Sequence, residues 1–91
     1  MRLDLFLKSS RLISRRSLAQ KFCDANLIKI NNFAAKSSRE VKQGDEIEIK
    51  RGRRLTKIKV LTVPDKKQVS KQDAPNLYEI LSEEITEEEL I

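Results

Sequence analysis

Ser14-Arg15-Arg16-Ser17-Leu18-Ala19-Gln20-Lys21-Phe22-Cys23-Asp24-Ala25-Asn26 is the stretch that decides the fold. Ser14 can cap a helix running from Arg15 to about Ala25. Leu18, Ala19, Phe22 and Cys23 then share one face, while Arg15, Arg16, Gln20 and Lys21 lie largely elsewhere. Asn26 suits the helix end, because Asn tolerates the left-handed conformation better than most residues. Upstream, Leu3, Phe6 and Leu7 fall at i, i+3 and i+4, the stripe of a preceding helix. Downstream, Leu27 to Ile30 reads as a short strand and Asn31-Asn32 as a tight turn. Ile47 and Ile49 alternate with Glu46, Glu48 and Lys50 in a half-buried strand entered through Gly44-Asp45. Ile58 and Val60 alternate in the next strand, from about Thr56 to Val63. Gly52, with Arg51, Arg53 and Arg54, makes the hairpin connection, and Pro64 ends it. The order is helix, helix, strand, connection, hairpin. Residues 1–63 therefore form one α+β domain with its helices collected at the start. Residues 64–91 read as a linker and an acidic tail, in which Leu77, Tyr78, Leu81 and Ile85 suggest a short amphipathic helix.

Ninety-one residues suit a single domain. The chain carries 19 Lys+Arg against 14 Asp+Glu, a formal net charge of +5. That figure hides a division. Residues 1–63 hold 16 basic and 6 acidic residues, a net of +10; residues 64–91 hold 3 and 8, a net of −5. A basic module of this kind most often meets polyanions, either nucleic acid or an anionic membrane surface. The longest run free of Asp, Glu, Lys and Arg is six residues, Ile30 to Ala35, too short for a membrane span or a signal-peptide centre. With one cysteine and no histidine, the chain lacks the usual zinc sites and every Ser-His or Cys-His catalytic pairing. Cys23 is expected as a small core residue in a reducing cytoplasm, and no cofactor or catalytic residue is expected.

Arg2, Lys8, Arg11, Arg15 and Arg16 lie at or between the first two helices. Cations at a helix start oppose the helix dipole, and a phosphate there would relieve the conflict. Ser17 adds a hydroxyl donor. The hairpin cluster of Lys50, Arg51, Arg53, Arg54, Lys57 and Lys59 has two readings: more phosphate contacts, or charge that blocks edge pairing. Phe6, Phe22 and Phe33 fall at apolar positions and are expected in the core. With them buried, no aromatic row remains for stacking on single strands, which favours a folded, double-helical RNA read by shape and phosphates. Composition alone does not exclude DNA.

Several segments together resemble ribosomal-protein S-four-type RNA-binding domains. They are Met1-Arg2-Leu3-Asp4 with Phe6-Leu7, Leu12 to Ala19, Ile28-Lys29-Ile30-Asn31, Ala35-Lys36-Ser37-Ser38, and Val41 with Gly44-Asp45-Glu46-Ile47. The resemblance implies the α-L RNA-binding fold, two N-terminal helices packed on a small sheet, and structured RNA as ligand. The implied RNA-binding residues are Arg2, Lys8, Arg11, Arg15, Arg16, Ser17, Lys36, Arg51, Arg53 and Arg54. The short stand-alone members are heat-shock-protein-fifteen-like, and Ala74 to Leu81 resembles the tail of those in ribosome quality control. They imply a non-enzymatic, cytoplasmic and ribosome-associated monomer that does not bind membranes. Its implied partners are large-subunit rRNA, the P-site tRNA and the alanine-tailing factor RqcH. Assembly or regulatory RNA binding by the same fold, or a basic protein-interaction module, are the alternatives. Asn26 and Asn32 stand where the family usually has Gly, and Leu5 where a basic residue is common.

Overall fold

The computed structural model describes residues 1–65 and 69–85. Two helices, α1 (Leu3–Ser9) and α2 (Arg16–Asp24), precede strands β1 (Ile28–Ile30), β2 (Phe33–Ala34), β3 (Glu46–Arg51) and β4 (Arg54–Val60). A 3-10 turn, Ala74–Leu77, then leads into β5 (Tyr78–Ile85). All five strands form one antiparallel sheet in the order β2-β1-β3-β4-β5. The α+β class and the N-terminal placement of the helices are as the sequence leads one to expect. No described helix is long and apolar enough to cross a membrane.

One core holds the two layers together. Leu3, Phe6 and Leu7 of α1 and Ala19 and Cys23 of α2 are buried against Ile28, Ile30, Ile47, Ile49, Ile58 and Val60. Those isoleucines stand opposite one another across the strands: Ile28 faces Ile49, and Ile30 and Ile58 both face Ile47. The alternating residues Lys29, Glu46, Glu48, Lys57 and Lys59 point to the outer face. The first residues of α1 are clamped by the 37–41 segment. Leu3 N–H donates to the Arg39 carbonyl at 2.8 Å, Asp4 N–H to that of Ser37 at 3.1 Å, and Val41 N–H to that of Met1 at 2.9 Å.

Asn26, Asn31 and Asn32 take φ of 61°, 50° and 76°, so asparagine supplies the left-handed backbone at all three positions. Four local expectations change. Ser14 does not cap α2. Arg15 is the N-cap, in an extended conformation and without a side-chain cap bond, and the helix starts one residue late. β4 begins at Arg54, because Arg51 pairs with Arg54 and leaves only Gly52 and Arg53 in the turn. Phe33 is 74% exposed, since β2 is a two-residue edge strand that nothing covers. Lastly, the helix read over Leu77 to Ile85 is the strand β5.

The error over β5 has a physical cause. Ile58 pairs with Ile80 and Lys57 with Ser82, so Leu81 is an extra residue in a β-bulge. The bulge breaks the period-2 alternation, and the surviving apolar spacing imitates a helical stripe. Leu77 anchors the approach to the strand: its side chain is buried in the core and its carbonyl accepts from Leu61 N–H at 2.9 Å. The remaining acids of the expected tail, Glu87, Glu88 and Glu89, lie outside the described residues.

Burial ranks the two helical phenylalanines. Phe6 is fully buried, whereas Phe22 is half-buried at the margin of the core. Chemical denaturation should show Phe6→Ala losing about 3–5 kcal/mol, most of the stability of a domain this small, and Phe22→Ala losing clearly less.

Candidate nucleic-acid interface

An acid that sequence patterning passes over organises the basic residues. Asp4 lies in the first turn of α1, and its side chain is fully buried. Its Oδ1 is 3.3 Å from Arg2 Nε and accepts from Leu5 N–H at 2.8 Å. Its Oδ2 accepts from Arg16 Nε at 3.2 Å and Gln20 Nε2 at 2.8 Å. Burial pushes this carboxyl up, but the hydrogen bonds from Gln20, Arg16 and Leu5 N–H outweigh it, aided by the Arg16 charge. The net result is below the ordinary 3.8. Arg2 and Arg16 are thus gripped through Nε, while their side chains remain 47% and 42% exposed. A guanidinium held at one edge keeps further N–H donors for a phosphate, which a lysine ammonium in that place would not do in a fixed plane. The signal that marks Asp4 in the sequence is an acid three residues before Leu7, on the apolar stripe, with Arg2 beside it.

The other expected residues distribute around this node. Arg15 and Ser17 are exposed at the start of α2, and Lys8 is exposed in the last turn of α1. Arg11 is exposed just past the end of α1, at φ 62°. Lys36 is exposed on the connection that clamps α1, beside Cys23 and Asp24. Arg51, Arg53 and Arg54 form the exposed tip of the β3–β4 hairpin. Arg51 joins that tip to the helices: its Nη2 donates to the Leu12 carbonyl at 3.1 Å, and its guanidinium lies 5.5 Å from the Phe22 ring centroid. The two clusters read separately in the sequence are therefore bridged. Lys57 does not belong with them. Its Nζ lies 3.2 Å from Glu46 and 4.0 Å from Glu48 on the outer sheet face.

The arrangement is suited to binding rather than covalent chemistry. Burial first, then the fields of Asp4 and Asp24, push the Cys23 thiol up to about 11, which leaves it protonated at neutral pH. Among the described residues no three of Cys, Asp and Glu gather as metal ligands.

Residues 1–47 match the S4 domain. The chain is 46% identical over 88 residues to the RQC P-site tRNA stabilizing factor of Streptococcus pneumoniae, covering 97% of this chain and 98% of that one. It is 46% identical over 84 residues to the Bacillus subtilis factor of the same name, covering 92% and 95%. Its fold matches the trimeric structure of Vibrio cholerae heat shock protein 15 with a TM-score of 0.81 at 27% identity, covering 90% and 82% of the two chains.

Two measurements follow from the node. Because the folded Asp4 carboxyl titrates below its unfolded value, its stabilisation is complete above about pH 4 and is lost as pH falls through the folded value. Asp4→Asn should flatten the acid limb of the stability profile and lower the melting temperature at neutral pH. Arg2→Ala and Arg16→Ala should each flatten the slope of log K for RNA against log salt by somewhat less than about one unit. Arg16→Ala should also cost some stability, because it takes a partner from a buried acid.

Proposed function

The chain belongs to the S4 domain family, and on that premise we propose that it is a non-catalytic RNA-binding factor of bacterial ribosome quality control. It binds large-subunit rRNA and the P-site peptidyl-tRNA on large subunits that hold a stalled nascent chain. By keeping that tRNA in place it supports C-terminal tailing of the chain by RqcH. The Arg2–Asp4–Arg16 node carries this reading. It sets two partly exposed guanidinium groups at the starts of two packed helices, with Lys8, Arg15 and Ser17 nearby, a cationic surface of fixed shape. Phosphate contacts from such a surface position the protein, and the fixed spacing of its donors selects RNA of matching geometry. Lys36 and the hairpin arginines extend the contact. The factor acts as a single chain in the cytoplasm.

The direct test uses purified large subunits carrying peptidyl-tRNA. The full chain should co-sediment with them and slow the loss of peptidyl-tRNA, and Arg2→Ala and Arg16→Ala should weaken both effects. Equal binding to large subunits that lack tRNA, with no retention of peptidyl-tRNA, would favour a ribosome-assembly role instead.

A further inference from the structure

At its β4–β5 end the inner face of the sheet is uncovered. Ile80 pairs with the fully buried Ile58 and shares its face, yet it is 52% exposed. Between this face and the α1–α2 link lies a groove of about 200 Å³. Leu12, Ile49 and Ile80 give it an apolar lining, and Tyr78 adds a ring. Arg11, Arg51 and Arg54 bring three guanidinium groups to it, against one acid, Glu83. One of the three is held by its contacts, and another follows an unusual backbone turn. Arg11 takes the left-handed φ of 62° after α1, a place that glycine occupies without strain. Arg51 is held by the Leu12 carbonyl and the Phe22 ring.

We propose that this groove is a nucleotide pocket that takes one unpaired, extruded nucleotide of RNA. The base lies on the apolar lining against Tyr78, and its phosphates meet Arg11 and Arg54. The volume is below the ~300–1,000 Å³ of a site for a drug-sized ligand, and it suits a single planar group. The charge is complementary to phosphate, and the ring and apolar lining offer the stacking that a base requires and an acidic side chain does not. Glu83 and Thr56, paired across β5 and β4, stand where they can accept from an exocyclic amino group, which favours adenine, cytosine or guanine over uracil. The proposal rests on the RNA-binding reading and adds a second surface to it: the helix face meets paired RNA, and the groove meets one base.

The chain has one tyrosine and no tryptophan, so fluorotyrosine labelling gives a single fluorine resonance that reports on the groove wall. The labelled full chain is titrated with a short oligoadenylate, a blunt RNA duplex and a polyglutamate peptide. The oligoadenylate should move the resonance saturably. The charge-neutral Ile80→Gln, at an exposed position, should weaken that binding about tenfold and duplex binding less than about twofold. Arg2→Ala should do the reverse. An unmoved resonance in a chain that still binds duplex would overturn the pocket while leaving the RNA-binding reading intact. Equal affinity for polyglutamate would replace the nucleotide with an acidic protein segment. Failure to bind either RNA would overturn both readings.

Discussion

The buried carboxylate of Asp4 is the constraint on which the rest depends. An isolated charge in a protein interior is costly, so Asp4 is tolerable only while Arg2, Arg16, Gln20 and the Leu5 N–H surround it. The starts of α1 and α2 therefore cannot part without stranding it. Helix packing and the placement of two partly exposed guanidinium groups are one and the same interaction. The acid subtracts a unit of charge from a cluster that is otherwise basic. What the site gains in return is fixed position, since a long arginine side chain held at Nε has less freedom to lose when it meets a phosphate.

The sheet explains where the remaining charge goes. On its outer face three cations have acids as neighbours: Lys29 stands opposite Glu48, Lys57 bonds Glu46 and Glu48, and Lys59 stands between Glu46 and Glu79. Much of the remaining basic charge of the first 63 residues lies along the helices and at the hairpin tip. Arg51 links those two regions across the Leu12 carbonyl, so the tip of β3–β4 holds a fixed position against the α1–α2 link. Of the expected hairpin cluster, Arg51, Arg53 and Arg54 form the exposed tip, while Lys57 and Lys59 have acids as neighbours on the outer sheet face.

Residues whose environment repeats along the chain were legible in the sequence. The stripe of Leu3, Phe6 and Leu7 and the alternation around Ile47, Ile49, Ile58 and Val60 placed one helix and two strands. The asparagines at left-handed positions were legible for the same reason, because backbone geometry limits which residues serve there. Asp4 carried only an indirect sign, an acid on the apolar stripe beside Arg2, because periodicity marks apolar residues as buried and not a carboxylate buried by its partners. Phe33 was read as core because β2 is too short to show alternation. The groove was invisible because it joins Leu12, Ile49 and Ile80 from three separate segments.

The bulge at Leu81 has a further consequence. In a regular strand every side chain is tied to one alternation, and moving one residue inward moves all the others. An extra residue divides β5 into two phases, with Tyr78 and Ile80 set by one and Glu83 and Ile85 by the other. Substitutions can therefore retune the two halves of the strand separately. The loss or gain of one residue near position 81 would instead exchange the inner and outer residues of a whole half in one mutational event.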